Sequence, residues 1–482
     1  MTTPIIADRR RWLVLAVTVV AQFMVILDVA VVNVALPAIG SDLHFAPADL
    51  QWVVTAYSIL FGGALLLGGR LADLFGRRRL FVAGVALFGV ASLLSGVAWS
   101  EGSLIAFRAL QGLGGALLAP AALSILVTTF TEGRERNLAL GIWGAASGSG
   151  GAVGVLLGGV LTSYAGWSWI FFVNLPIAAA VVATAPWLLR ETRAELGHRH
   201  LDVAGAGTIT AALMLLVYGI TRAAEQGWSD VLALGTLAVA GALALAFLAI
   251  EHRSAAPLLP LRIFRLRSLS AANGTMLAVG ALAFGQFFLL TLYLQEVLGY
   301  SAIETGLAFV GIAVPIAVAS NLGQALTTRF GPRPVLVAGL GASAVAALLF
   351  ARLPAGAHYV PDVLPGFLLG GLGLGLSFVP VTIAALTGVA PADAGVASGL
   401  INTTRQVGGS LGLAAVTTVA AAAGGPHAGG APVAGFGPAF DVLAGVALAG
   451  ALAAGLLAAP RRQPRVDDEP ALDAEPAWKE AA

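Results

Sequence analysis

The sequence predicts an all-α integral membrane protein of fourteen transmembrane helices, with both termini on the cytoplasmic side. Three observations predict it. The chain of 482 residues is 58% hydrophobic and only 11% charged, where a soluble protein carries about 25% charged residues. Its apolar residues fall into runs near the length of about 20 residues that crosses a bilayer. Its arginines alternate between successive loops in the pattern that orients membrane helices.

The spans are placed at 12–36, 50–69, 80–99, 103–127, 138–163, 169–189, 203–222, 231–250, 270–295, 303–322, 335–352, 363–388, 395–422 and 440–459. The first follows Arg9-Arg10-Arg11, is too long for a signal core and contains Asp28, so it reads as an uncleaved span. The second runs into a hydrophilic turn, Gly69-Arg-Leu-Ala-Asp73-Leu-Phe-Gly76-Arg-Arg-Arg79, before the third. Pro176 and Pro186 interrupt the sixth, yet dropping it would reverse every later loop.

With the N-terminus inside, the inner segments hold Arg9–Arg11, Arg70, Arg77–Arg79, Arg134, Arg136, Arg190, Arg193 and Arg199. They continue through Arg253, Arg262, Arg265, Arg267, Arg329 and Arg333 to Arg461, Arg462 and Arg465, while the outer loops hold only Arg222 and Arg352. The expected location is the cell's inner or plasma membrane, crossed many times. Pro257 to Ser270 mixes Arg with Ile263, Phe264 and Leu266, and reads either as a segment on the inner membrane surface or as a basic loop. The proline-rich, charged residues 460–482 read as a disordered cytoplasmic tail.

Composition excludes several classes of function. Without cysteine there are no disulfides, thiolate nucleophiles or cysteine metal ligands. The histidines lack metal-site spacing, so no metal is expected. Lys479, in the tail, is the only lysine, which rules out a lysine-bearing phosphate loop. Gly408-Gly-Ser410-Leu-Gly412 fits a nucleophile-elbow pattern, but it lies inside an apolar helix rather than at a strand-to-helix turn. Neither an enzyme nor a nucleic-acid partner is expected.

Charges within spans are costly and are functional candidates. Asp28 lies 16 residues beyond Trp12, roughly 24 Å along a helix. Arg108 lies five residues beyond Ser103 in the opposite direction, roughly 8 Å from the outer end. The two fall at similar depth and can pair or compete, either as a proton switch or as a static ion pair. Arg405 has no acidic residue within its span. It serves either a polar cavity or backbone carbonyls of neighbouring helices.

Gln22, Asn33, Gln51, Tyr57, Gln111, Gln286 and Asn402, with Arg405, are the candidate cavity residues. Trp52, Trp143, Phe284, Phe287 and Phe288 are candidates for an apolar wall. In the fifth span, Gly144/Gly148 and Gly150/Gly154/Gly158, beside Gly159, recur at four-residue spacing. That spacing opens one helix face to close approach by another backbone.

Five segments together resemble the fourteen-span drug:proton antiporter branch of the major facilitator superfamily. They are Leu27-Asp28-Val-Ala-Val-Val-Asn33-Val-Ala-Leu-Pro37; the 69–79 segment; Leu104-Ile-Ala-Phe-Arg108-Ala-Leu-Gln111-Gly112; the glycine-rich fifth span; and Ala394 to Gly409 around Asn402 and Arg405. The resemblance implies a six-helix bundle in 1–190, a linker with two extra helices and a basic loop in 191–267, and a second six-helix bundle in 268–459. It implies proton coupling by Asp28 and Arg108, a gating segment of Gly69, Asp73, Gly76 and Arg77, and an antiporter helix bearing Gly148, Gly150, Gly154, Gly158 and Gly159. The branch usually has proline where this chain has Val155, and valine should leave the helix straighter.

The expected function is proton-coupled export of lipophilic small molecules by alternating access, by a monomer in contact with lipid and without a cofactor. A dedicated exporter of one metabolite or lipid is the alternative, and a proton-coupled uptake symporter a weaker one.

Overall fold

The computed structural model describes residues 4–45, 50, 52–130, 133–193, 202–254, 257–423, 433 and 435–457. All regular structure among them is helical. The first group of helices is α1 (Pro4–Asp42), α2 (Trp52–Phe75), α3 (Arg77–Gly96), α4 (Glu101–Thr129), α5 (Arg134–Tyr164), α6 (Trp169–Phe172) and α7 (Asn174–Leu188). Next come α8 (Val203–Gln226) and α9 (Val231–Arg253). The last group is α10 (Arg267–Leu292), α11 (Ala302–Phe330), α12 (Pro332–Phe350), α13 (Leu364–Leu386), α14 (Ala394–Ala422) and α15 (Phe436–Gly455).

Local chemistry sets the ends of these helices. Ser100 and Ser103 form a capping box at α4, and Ser301 and Glu304 form one at α11. Asp202 and Asp230 cap α8 and α9 by accepting from the Gly205 and Ala233 amides at 2.7 Å each. Such caps satisfy amides that have no partner within the helix.

Thirteen helices among the described residues are long and apolar enough to cross a membrane. The predicted span 395–422 coincides with α14, which at 29 residues is long enough but more polar, with Asn402, Thr403, Thr404, Arg405 and Gln406 in succession. α14 can carry them because it packs against α2, α4, α8, α10 and α15. The sixth predicted span is a broken helix, with α6 and α7 separated by Val173 and Pro176 accommodated in the first turn of α7.

The hydrophilic turn predicted over 69–79 is corrected. Residues 69–75 complete α2, and α3 begins at Arg77, so the reversal is made by Gly76 alone. Its φ of 111° is open to glycine and strained for other residues.

Within the first group, α1 packs on α5, α4 packs on α2 and α3, and α3 packs on α7. Within the last, α10 packs on α14 and α15, while α13 packs on α11 and α12. Two long contacts join the groups, α5 with α11 and α2 with α14. α8 and α9 form a hairpin whose α8 side lies against α2 and α14. The arginine-bearing helix ends gather at one end of the molecule. There Arg10 donates to the Leu188 carbonyl at 3.1 Å, Arg136 to the Leu386 carbonyl at 2.9 Å, and Arg262 meets Asp393 at 3.4 Å. The Pro257–Ser270 segment also lies here. It folds back so that Glu251 accepts the Leu258 amide at 2.9 Å, with Ile263 buried and Phe264 exposed.

Candidate functional site

Three features stand out, and the first lies within the first helix group. Asp28 on α1 and Arg108 on α4 meet at 2.7 Å with both side chains buried. The other carboxylate oxygen accepts from Gln111 Nε2 at 2.7 Å and from Asn174 Nδ2 at 2.9 Å. Both amides also donate to Ser92 Oγ, at 2.6 and 3.1 Å. Arg108 further donates to the Val53 carbonyl at 3.0 Å and to the Gln111 side-chain oxygen. The guanidinium lies 4.5 Å from the Tyr57 ring centroid and 5.7 Å from that of Phe171.

Side chains from α4 and α7 therefore converge on the α1 carboxylate, and Ser92 of α3 holds the two amides that bind it. Tyr57 is buried, its hydroxyl finds no hydrogen-bond partner among the described residues, and it is within electrostatic reach of Asp28, Arg108 and Arg405.

The second feature joins the two helix groups. Asp73, fully buried near the end of α2, accepts from Arg77 at 2.8 Å and from the amides of Gly395 and Val396 at 3.2 and 3.1 Å. Those amides open α14, where orphan N–H groups and the helix dipole favour an anion. Arg77 also donates to the Pro391 carbonyl, on the far side of the contact. The helices touch closely enough that a Cβ on Gly69 would collide with the Gly395 carbonyl oxygen, and one on Gly76 with Glu191. Glu191 itself meets Arg78 at 3.5 Å and Arg79 at 3.7 Å. Arg70 is buried beside this lock, within electrostatic reach of Asp73, Asp393 and Glu251.

The glycine face of α5 is occupied by α1. A Cβ on Gly150 would lie 3.0 Å from Ile26; one on Gly154, 2.8 Å from the Leu27 carbonyl oxygen; one on Gly158, 2.9 Å from that of Val31. Gly159 turns instead toward Ile303 of α11, at 3.3 Å, and Gly148 lies in the same helix. The glycines thus hold the backbone that carries Asp28. α5 runs unbroken through Val155. Gly154→Val is expected to lower the thermal stability of the purified protein by about 1–3 kcal/mol or more through overpacking. Gly151→Ala, whose Cβ would meet open space, is expected to be near neutral in the same melting experiment.

The third feature is a cavity between the helix groups, lined by Trp143, Phe378, Thr382, Ile401, Asn402 and Arg405 among others. It leaves about 10 Å³ for the centres of water-sized molecules, room for roughly one water. The other predicted residues are placed as follows. Gln22 and Gln286 are buried, each with one side-chain polar atom unpartnered among the described residues. Asn33 is exposed and donates to its own helix at the Val29 carbonyl, 2.8 Å away. Gln51 lies outside the described residues.

Ser92, Phe171, Glu191 and Glu251 were not singled out by sequence. A lone serine or phenylalanine in an apolar helix carries no signal of its partner. Glu191, two residues beyond the predicted sixth span and between Arg190 and Arg193, offered one.

An all-helical membrane protein with a buried carboxylate–guanidinium pair, an ionic lock between two helix groups and a central cavity has the parts of a carrier. The model described as Major Facilitator Superfamily matches residues 18–413. The puromycin resistance protein pur8 of Streptomyces alboniger is 43% identical over 422 residues, 86% of this chain and 83% of that protein. The cephamycin export protein CmcT of Amycolatopsis lactamdurans is 43% identical over 410 residues, 84% of each. Among solved structures, the human organic anion transporter MFSD10 (TETRAN) shares the fold at a TM-score of 0.66 and 17% identity, covering 95% of this chain and 100% of that one. The chain belongs to the Major Facilitator Superfamily and is a multi-pass membrane protein.

Proposed function

We propose that this chain is a proton-coupled antiporter of the drug-export branch, moving lipophilic small molecules out of the cell by alternating access. The observation that carries the reading is the Asp28 site. A single carboxylate of α1, sealed from water, is held by a guanidinium and an amide of α4 and an amide of α7. A carboxylate separated from its cation in apolar surroundings takes up a proton. Movement of α4 against α1 is the means of separation.

In this reading α14 is the thirteenth span and the partner of α2 in the inner lock, and the arginine-rich end faces the cytoplasm. The bundles are 1–190 and 268–459, with α8 and α9 in the linker 191–267. Asp73 with Arg77, supported by Gly69 and Gly76, stabilises the state closed on the inside. The glycine face of α5 transmits motion to α1. The protein works as a monomer within lipid, driven by the proton gradient. The names of two relatives, one for puromycin resistance and one for cephamycin export, each specify a single compound. They favour as a second reading a dedicated exporter of one endogenous product.

The test is efflux of lipophilic dyes, one cationic and one anionic, from preloaded cells that lack their own pumps and express this chain. Efflux faster than in control cells, and abolished by a protonophore, is expected. Efflux insensitive to the protonophore, or uptake enhanced by external acid, would contradict antiport.

A further inference from the structure

We propose that Arg405 makes the central cavity a site for lipophilic acids, molecules that join a carboxylate or similar anionic group to an aromatic or aliphatic body. The inference rests on the export reading above and specifies its substrate class.

The argument begins with how this chain treats its other buried or half-buried arginines. Arg108 is neutralised by Asp28, Arg77 by Asp73 and Arg262 by Asp393. Arg10 and Arg136 reach backbone carbonyls of distant helices. Arg70 sits among Asp73, Asp393 and Glu251. Arg405 does none of these things. Its Nε is buried with no hydrogen-bond partner among the described residues. Among the described residues no carboxylate forms an ion pair with it.

The nearest aromatic help is Phe378, whose ring centroid is 5.9 Å from the guanidinium, near the outer limit of a cation–π contact. A guanidinium that served packing alone would be expected to bond helix carbonyls, as Arg10, Arg108 and Arg136 do.

The surroundings complete a recognition site rather than an ion pair. Arg405 lines the cavity, and no Asp or Glu among the described residues does so. Trp143, Phe378 and Ile401 offer apolar surface, while Asn402 and Thr382 supply polar atoms beside it. The guanidinium fork matches a carboxylate with two parallel hydrogen bonds. An anion would neutralise a half-buried positive charge whose Nε is closed off from solvent, and an ammonium would place a second charge beside it. The cavity as it stands holds roughly one water, so the site opens to its ligand in another conformation of the transport cycle.

The test uses the full chain in lipid nanodiscs, with empty nanodiscs subtracted, and three probes of one shape: 1-naphthylacetate, its methyl ester and 1-naphthylmethylammonium. Equilibrium dialysis is expected to show the acid binding at least about tenfold tighter than either of the others. Arg405→Gln is expected to erase that preference and Arg405→Lys to keep part of it. Ester or ammonium binding as tight as the acid would overturn the proposal. So would an acid preference intact in Arg405→Gln, or folded wild-type protein that binds none of the three. Should Arg405→Gln fail to fold, the wild-type ranking decides alone. Protonophore-sensitive dye export together with a preference for ammonium leaves antiport standing and removes this inference. An acid preference without export does the reverse.

Discussion

Asp28→Asn is expected to reduce protonophore-sensitive export to the level of cells without the protein. The substitution keeps the shape and one acceptor oxygen, so Gln111 and Asn174 retain partners, but it removes the only carboxylate among the described residues of this cluster. It also leaves Arg108 as a buried charge without its counter-ion. That loss carries a cost of up to about 3–5 kcal/mol, and a lower unfolding temperature of the purified variant should accompany the loss of export. The double variant Asp28→Asn with Arg108→Gln separates a proton switch from a static ion pair. Removing both charges is expected to recover most of the stability, because no charge remains uncompensated. Export should stay lost. Recovery of both together would mean that the pair serves structure alone.

The second large effect belongs to the lock. Asp73→Ala removes the acceptor for Arg77 and for the Gly395 and Val396 amides at once. All of these partners are buried. Breaking one side of a buried pair costs about 3–5 kcal/mol, which favours opening between α2 and α14 by roughly two to four orders of magnitude. The natural absence of cysteine makes this directly readable. Val396→Cys introduces a lone thiol at a fully buried position of the contact. Its alkylation by a membrane-impermeant maleimide in detergent should be slow in the Asp73 background and fast with Asp73→Ala. Equal rates would mean that the contact is held by the glycine packing of Gly69, Gly395 and Gly399 and not by the carboxylate.

The sequence exposed most of the helices because a span must be apolar along its length, and that pattern is local. It understated where helices end. α2 continues to Phe75 and α3 begins at Arg77, since a helix does not stop where its hydrophobicity does. The reversal at Gly76 depends on a backbone angle of 111° that composition does not report. α14 marks the opposite limit. Its run of Asn402 to Gln406 is predicted within a span, and its packing among α2, α4, α8, α10 and α15 explains how a run so polar is tolerated there.

Site residues were legible where the chemistry was out of place. Asp28, Arg108 and Arg405 are charges inside apolar runs, and simple helix arithmetic put the first two at one depth. They meet at 2.7 Å. The supporting partners were less visible. Ser92 is one hydroxyl among many, and its role appears only where Gln111 and Asn174 both donate to it. Tyr57 reads in the sequence as one polar group of a cavity, but its place against the Arg108 guanidinium is a property of the assembled bundle. The same is true of Arg405. Sequence shows that its own span lacks an acid, whereas its lack of an ion pair with any carboxylate among the described residues emerges only in three dimensions.

The central claim is that substrate leaves as protons enter, through Asp28. The most direct measurement is proton movement in proteoliposomes that contain the purified chain and a trapped pH-sensitive dye. With substrate loaded inside and no imposed pH difference, its outward flow should drive protons in and acidify the lumen. Asp28→Asn vesicles should show no substrate-dependent acidification. Substrate efflux from wild-type vesicles without acidification, or acidification that survives Asp28→Asn, would contradict the account.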